Sequence, residues 1–222
     1  MAAKSPIVLI LGSGPNIGQS VARKFASEGF RVAIASRSQK EGDSTDKQLN
    51  IKTDLTKPLE VADAFSKVKT TFGTPSVVVY NASAAAFPPA DDPLSVTYTD
   101  FSNNTAINIH SAFIAAQQAV AGFAQLPDSA ARTFIYTGNI LNVTILPKFL
   151  DAGVGKSGAA HMMFYYADER KPDGAPKYRV DGDAHADLYW ELSQGKEQGP
   201  WMQTFVKGEG YKKFDTLYTP VA

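Results

Sequence analysis

The sequence predicts an α/β domain, built as one doubly wound, mostly parallel sheet of about seven strands with helices on both faces. Three observations carry this prediction. The run Ile7–Leu11 is apolar at every position, as in a parallel strand covered on both faces. Strand-like and helix-like segments alternate along the chain. A glycine-rich turn, Gly12-Ser-Gly-Pro-Asn-Ile-Gly18, sits between the first strand and the first helix.

The elements follow in order. Gln19–Glu28 is amphipathic, with Val21, Ala22 and Phe25 on one face and Gly29 as its stop. Phe30–Ala35 reads as a second strand and Leu49–Thr53 as a short third one. Leu59–Phe72 reads as a helix burying Val61, Ala64, Phe65 and Val68. Ser76–Tyr80 is a strand, Phe87–Pro93 a loop, and Asp100–Phe123 one long helix. Thr133–Tyr136 is a strand, a helix starts near Gly155, and Phe164–Tyr166 has strand character. Ala184–Ser193 reads as a helix and Trp201–Val206 as the last strand. No repeat or linker divides residues 1–222, and 44% apolar residues suffice for one core.

Composition narrows the function classes. Lys+Arg and Asp+Glu both number 22, so no net basic charge points to a nucleic-acid partner. No apolar run is long enough to span a membrane. Cysteine is absent, and His110, His161 and His185 are scattered, which argues against a metal site. Met1–Pro6 lacks a leader pattern, so a cytoplasmic location is expected.

The turn carries the chemistry. Backbone N–H groups at a helix N-terminus hold a pyrophosphate when side chains leave room for it. Gly12, Ser13, Gly14, Asn16, Ile17 and Gly18 stand where such a Rossmann-type site needs them. At the end of the second strand an acid would bind the ribose hydroxyl of NAD, and an arginine the phosphate of NADP. Here the segment reads Ala35-Ser36-Arg37-Ser38, without an acid. NADP(H) is therefore expected over NAD(H), with Ser36 and Arg37 on the phosphate; the alternative for Arg37 is a solvated surface residue.

With these motifs in place, the chain resembles the short-chain dehydrogenase/reductase family from Ile7 to about Gly210. Gly12-x3-Asn16-Ile17-Gly18 is similar to the family's glycine motif, with Asn16 replacing a glycine. Asp54 and Leu55 resemble its adenine contact, and Asn81 and Ala82 its Asn-Ala motif beside the cofactor. Asn108 matches the asparagine of its proton relay, and Gly199–Tyr211 its final strand and turn. The resemblance implies an oxidoreductase acting on a small organic molecule, and a homodimer or homotetramer.

The departures matter as much. The family's catalytic serine falls at Gly138, and its Tyr-x3-Lys falls at Ala152–Lys156, keeping only the lysine. Asn108, Lys156 and Asp151 are then the candidate catalytic residues. Asp151 is either a replacement acid or a cap of its own helix. Thr137 or Asn139 can supply a polar group near the lost serine, and His110 and His161 can titrate. The resemblance is strongest to divergent fungal members that reduce carbonyl or iminium groups in secondary metabolism. A degenerate member that binds cofactor without hydride transfer is the second reading.

Two expectations concern geometry. A helix from Asp151 to Met163 would run about 20 Å. It would leave nothing to turn back to the sheet, which implies a deletion or a missing segment between Met163 and Phe164. That helix builds the family's dimer face. The loop Ala84–Asp92 and the segment Asp168–Asp183 are expected to wall the pocket.

Overall fold

A computed structural model describes residues 5–214; the leader reading of Met1–Lys4 lies outside them. Eight strands form one sheet in the order β3-β2-β1-β4-β5-β6-β7-β8. They are β1 (Ile7–Leu11), β2 (Arg31–Ser36), β3 (Gln48–Lys52), β4 (Val77–Tyr80), β5 (Thr133–Thr137), β6 (Tyr165–Glu169), β7 (Met202–Val206) and β8 (Gly210–Tyr211). The first seven are parallel. The eighth is a two-residue addition to the expected mostly parallel sheet of about seven: the chain turns after Val206 and pairs antiparallel, Phe205 facing Tyr211.

Side-chain alternation sends the apolar strands to two cores. Leu9, Leu11, Tyr80, Tyr136 and Tyr166 pack with α2 (Leu59–Thr71) and α4 (Ser111–Phe123). Val8, Ile10, Val79, Ile135 and Phe205 pack under α1 (Ile17–Ser27) and α6 (Gly182–Gln194). In α4 the sheet-facing residues Ala112, Ala115 and Ala119 are small, so the helix lies close to the strands.

The expected long helix is α3 (Tyr98–Thr105) and α4 joined by a π turn at Ala106–His110. It begins earlier than Asp100, because Thr97 Oγ1 accepts the Asp100 N–H at 3.1 Å and caps the end. The π turn frees carbonyls from the helical ladder. Two tyrosines take them: Tyr80 donates to Ile107 O at 2.5 Å and Tyr136 to Asn108 O at 3.1 Å.

Between β5 and β6 a short helix and a tight turn make the crossover. Helix α5 (Leu150–Ala160) starts at Leu150 and stops at Ala160, and His161–Phe164 make the turn into β6. Eleven helical residues rise about 16 Å, and a five-residue strand spans about 16 Å. The shortened helix therefore returns the chain to the start of β6, which pairs Tyr165 with Ile135.

Candidate active site

The strand ends carry a cleft of two adjoining cavities. One, of about 360 Å³, is lined by Gly12, Ser13, Gly14, Ser36, Arg37, Asp54, Leu55, Asn81 and Ala82, among others. The other, of about 480 Å³, is lined by Gly14, Asn16, Ile17, Thr137, Asn139, Lys156, Asp168 and His185, among others. Gly14, Asn81 and Ser83 belong to both walls, so the cavities meet at the glycine turn.

The turn is held from below. Gly12 has φ +94°, and a Cβ there would lie 2.4 Å from Ala82 N. Only glycine lets β1 end so close to the segment after β4. Asn81 Nδ2 donates to Gly12 O at 2.7 Å and fixes that approach. Gly14 has open space where a side chain would be. No side chain caps α1, and its first turn holds no acid. Asn16 Nδ2 reaches Val180 O at 2.9 Å, tying the turn to the segment before α6. Gly18 lies beneath the turn, against Ser13.

At the other end Arg37 is exposed on the cavity wall, and Ser36 Oγ lies 3.2 Å from Ser38 Oγ. Asp54 accepts Thr56 N–H and O–H at 3.0 and 2.8 Å. These bonds hold its carboxyl below the ordinary carboxylate range.

Lys156 is 2% exposed. Its Nζ donates to Thr137 O at 2.8 Å and to Tyr136 Oη at 3.3 Å, and stands 4.5 Å from the Tyr136 ring centroid. Tyr136 in turn donates to Asn108 O, which makes a chain from Lys156 to the π turn. Tyr136 is therefore more than the packed strand residue its sequence suggests. The Asn108 side chain lies behind the cleft, clamping Ala84 through both its N–H and its carbonyl.

Asp151 lines neither cavity. It is buried in the first turn of α5, which it does not cap. Its Oδ2 accepts Ala86 N at 2.8 Å and Asn104 Nδ2 at 2.5 Å. That tether draws the Ala84–Asp92 loop back, and none of those residues lines the larger cavity. Thr137 and Asn139 do line it, but Thr137 Oγ1 is shared with Tyr189 Oη at 2.6 Å, and Asn139 Oδ1 accepts Leu141 N. His110 and His161 are exposed and line neither cavity.

At Gly138 an added Cβ would lie 2.1 Å from the Tyr166 ring. Tyr166 fills that space and fixes the strand end: its hydroxyl donates to Asn139 O at 2.9 Å and accepts Asn139 N–H at 3.2 Å. Its ring continues a stack, Tyr80–Tyr136–Tyr166, with centroids 5.7 Å apart at both steps.

The segment from Asp168 lines the larger cavity, as expected, but the sequence assigned no role to the charges at the end of β6. Asp168, Glu169 and Arg170 are each at most 4% exposed. Arg170 Nε donates to Asp168 Oδ2 at 2.5 Å, and Nη1 to Gly174 O at 3.0 Å. Glu169 accepts from Lys177 Nζ and from Asp181 N. These bonds pin the wall segment that carries Pro176, Tyr178 and Val180. The signal was legible: three charges end an apolar strand at the crevice edge of the sheet, where ligands bind.

Burial pushes the Lys156 ammonium down to about 7, with Asp168 opposing. An unfolded lysine titrates near about 10.4. The folded chain thus releases this proton first, and stability rises as pH climbs from about 7 toward 10. The melting temperature is expected to rise between pH 7 and 9, and to lose that rise in Lys156→Met. An equal rise in the variant refutes this burial cost. Gly138→Ser is expected to lower stability by more than the roughly 1–3 kcal/mol of ordinary overpacking. Adding Tyr166→Ala should recover part of it by emptying the space; no recovery in chemical denaturation counts against the ring as the obstacle.

Residues 6–144 match the family model described as short chain dehydrogenase. The short chain dehydrogenase/reductase dmxR12 of Cryptosporiopsis sp. is 43% identical over 236 positions, covering 95% of each chain. That alignment is longer than the 222 residues here, so the relative carries residues with no counterpart in this chain. A 3-ketoacyl-(acyl-carrier-protein) reductase from Brucella melitensis, complexed with NADH, superposes with a TM-score of 0.74 at 15% identity. It covers 92% of this chain and 98% of that one. An alcohol dehydrogenase from Thermococcus sibiricus, complexed with 5-hydroxy-NADP, gives 0.69 at 16%, covering 95% and 100%. At such identities the two structures speak for the fold. No helix among the described residues is long and apolar enough to cross a membrane. The family match and the full-length relative make this chain a member of the short-chain dehydrogenase family, oxidoreductases that bind nicotinamide cofactors.

Proposed function

We propose that the chain is an NADP(H)-dependent oxidoreductase that reduces a carbonyl or iminium carbon of a small, largely apolar organic molecule. One observation carries the reading: the Arg37 cavity and the Lys156 cavity meet at Gly14, where the backbone is open to the cleft. The uncapped N-terminus of α1 suits a pyrophosphate there. Arg37 and Ser36 would hold the ribose phosphate, Asp54 and Leu55 the adenine side, and Lys156 the nicotinamide ribose. When bound, NADPH supplies a hydride. Ile140, Leu141, Leu146 and Phe149 make the substrate side apolar.

Gly138 and Ala152 stand, on our reading, at the family's catalytic serine and tyrosine. The chain therefore lacks the usual hydroxyl pair, and the Tyr166 ring closes the serine's place. This favours a second reading, a cofactor-binding member without hydride transfer. We assign Asn108 and Asp151 to positioning: the first shapes the π turn that receives Tyr136, the second tethers Ala86 to α3 and α5. A role in secondary metabolism is consistent with an apolar substrate.

Calorimetry tests the cofactor. NADPH is expected to bind roughly tenfold or more tightly than NADH, the worth of a charge-assisted hydrogen bond to Arg37. Arg37→Ala should erase the difference, and Lys156→Ala should weaken both cofactors. Equal affinities in the parent protein, or tighter NADH, defeat the NADP(H) assignment. Asp151→Asn keeps an acceptor for both donors, so NADPH affinity and any turnover should persist. Abolished turnover with intact NADPH binding would restore Asp151 as the acid.

A further inference from the structure

We propose that Asp168 supplies the proton for carbonyl reduction in this cleft, an inference that rests on the oxidoreductase reading above. Strand β6 delivers Asp168 to the same sheet edge as Thr137–Asn139 at the end of β5, and all of these line the larger cavity. Asp168 is 2% exposed, yet it forms part of the cavity wall. Arg170 Nε fixes one carboxyl oxygen at 2.5 Å. The other oxygen takes no hydrogen bond from the described residues. A carboxyl held at one oxygen and unpartnered at the other, on a cavity wall, can present its proton to a substrate oxygen.

The surroundings favour the protonated form at mildly acidic pH. Burial pushes Asp168 up to about 6, and Glu169 adds to the rise; Arg170 and Lys156 oppose it. The facing groups come from every neighbouring element. Strand β6 itself brings Tyr166, Glu169 and, just beyond it, Arg170. Strand β5 brings Thr137, α5 brings Lys156, α6 brings His185 and the wall segment brings Lys177. On β7 the register partner is uncharged Thr204. Glu169 is already engaged by Lys177 and Asp181 N, and burial keeps His185 toward its neutral form. Lys156 is bonded to Thr137 O and Tyr136 Oη.

The carbonyl carbon accepts a hydride from the reduced nicotinamide, and the C=O π pair moves onto oxygen. That oxygen takes the Asp168 proton, and water reprotonates the carboxylate. The carbonyl is reduced and the nicotinamide oxidised. An iminium carbon needs the hydride alone.

The test uses the full-length protein, NADPH and two probes, 9,10-phenanthrenequinone as carbonyl and N-methyl-3,4-dihydroisoquinolinium as iminium. Asp168→Asn is expected to lower kcat for the quinone by about 100-fold or more, with KM and NADPH affinity little changed. Iminium reduction should stay within about threefold, because no proton is transferred. Quinone turnover in the parent should fall above about pH 6, and that limb should vanish in Asp168→Asn. A readout without turnover is infrared spectroscopy: a protonated-carboxyl band titrating near about pH 6 should be absent from the variant. Unchanged quinone turnover, a persisting band, or an equal fall with both probes overturns the proposal. If Asp168→Asn does not fold, Asp168→Glu decides: a displaced alkaline limb supports the role and an undisplaced one refutes it. If the parent binds NADPH but reduces neither probe, the oxidoreductase reading itself fails and takes this inference with it.

Discussion

A lysine buried at the floor of a cleft must be given oxygen by its neighbours, and much of this site follows from that demand. Among the described residues, no carboxylate lies within hydrogen-bond distance of Lys156. Its partners are the Thr137 carbonyl, the Tyr136 hydroxyl and the Tyr136 ring. Tyr136 needs an acceptor in turn, and the π turn supplies it at Asn108 O. The irregular turn in the long helix, the tyrosine stack under the sheet and the position of the lysine are therefore one arrangement. Unpaired buried polar groups are costly, so each member restrains the next.

The same stack explains why the strand end after β5 looks as it does. Tyr166 occupies the space beside Gly138 and binds both backbone groups of Asn139. A side chain at position 138 and the Tyr166 ring exclude each other. The cavity wall is then finished by residues from β6 and from the segment beyond it, pinned through Asp168–Arg170 and Glu169–Lys177. Charge that would be expensive alone is placed where it has partners and faces a cleft.

What the sequence revealed was whatever depends on local pattern. The apolar strands, the amphipathic helices and Gly12–Gly18 follow from periodicity and from close backbone approach, and they sit where such patterns put them; Asn81 was legible only through the family resemblance. What it hid depends on distant partners. Asp151 reads as an acid or a cap in the sequence, and only the fold shows that its Oδ2 accepts from Ala86 and Asn104, residues far away in the chain. Gly138 gave no hint that Tyr166 fills its space. The sequence also did not show that α5 ends at Ala160, which leaves His161–Phe164 for the turn into β6. Asp168 was visible as a charge in an apolar strand, but only the fold shows that it faces the same cavity as Lys156.

Everything proposed for the chemistry presumes that one dinucleotide spans both cavities. A crystal structure with NADP⁺ tests this directly. The phosphate of the adenosine ribose should lie on Arg37, the pyrophosphate against Gly14 and the first turn of α1, and the nicotinamide ribose within about 3 Å of Lys156 Nζ. A cofactor confined to the Arg37 cavity, or absent from the cleft at saturating concentration, would contradict it.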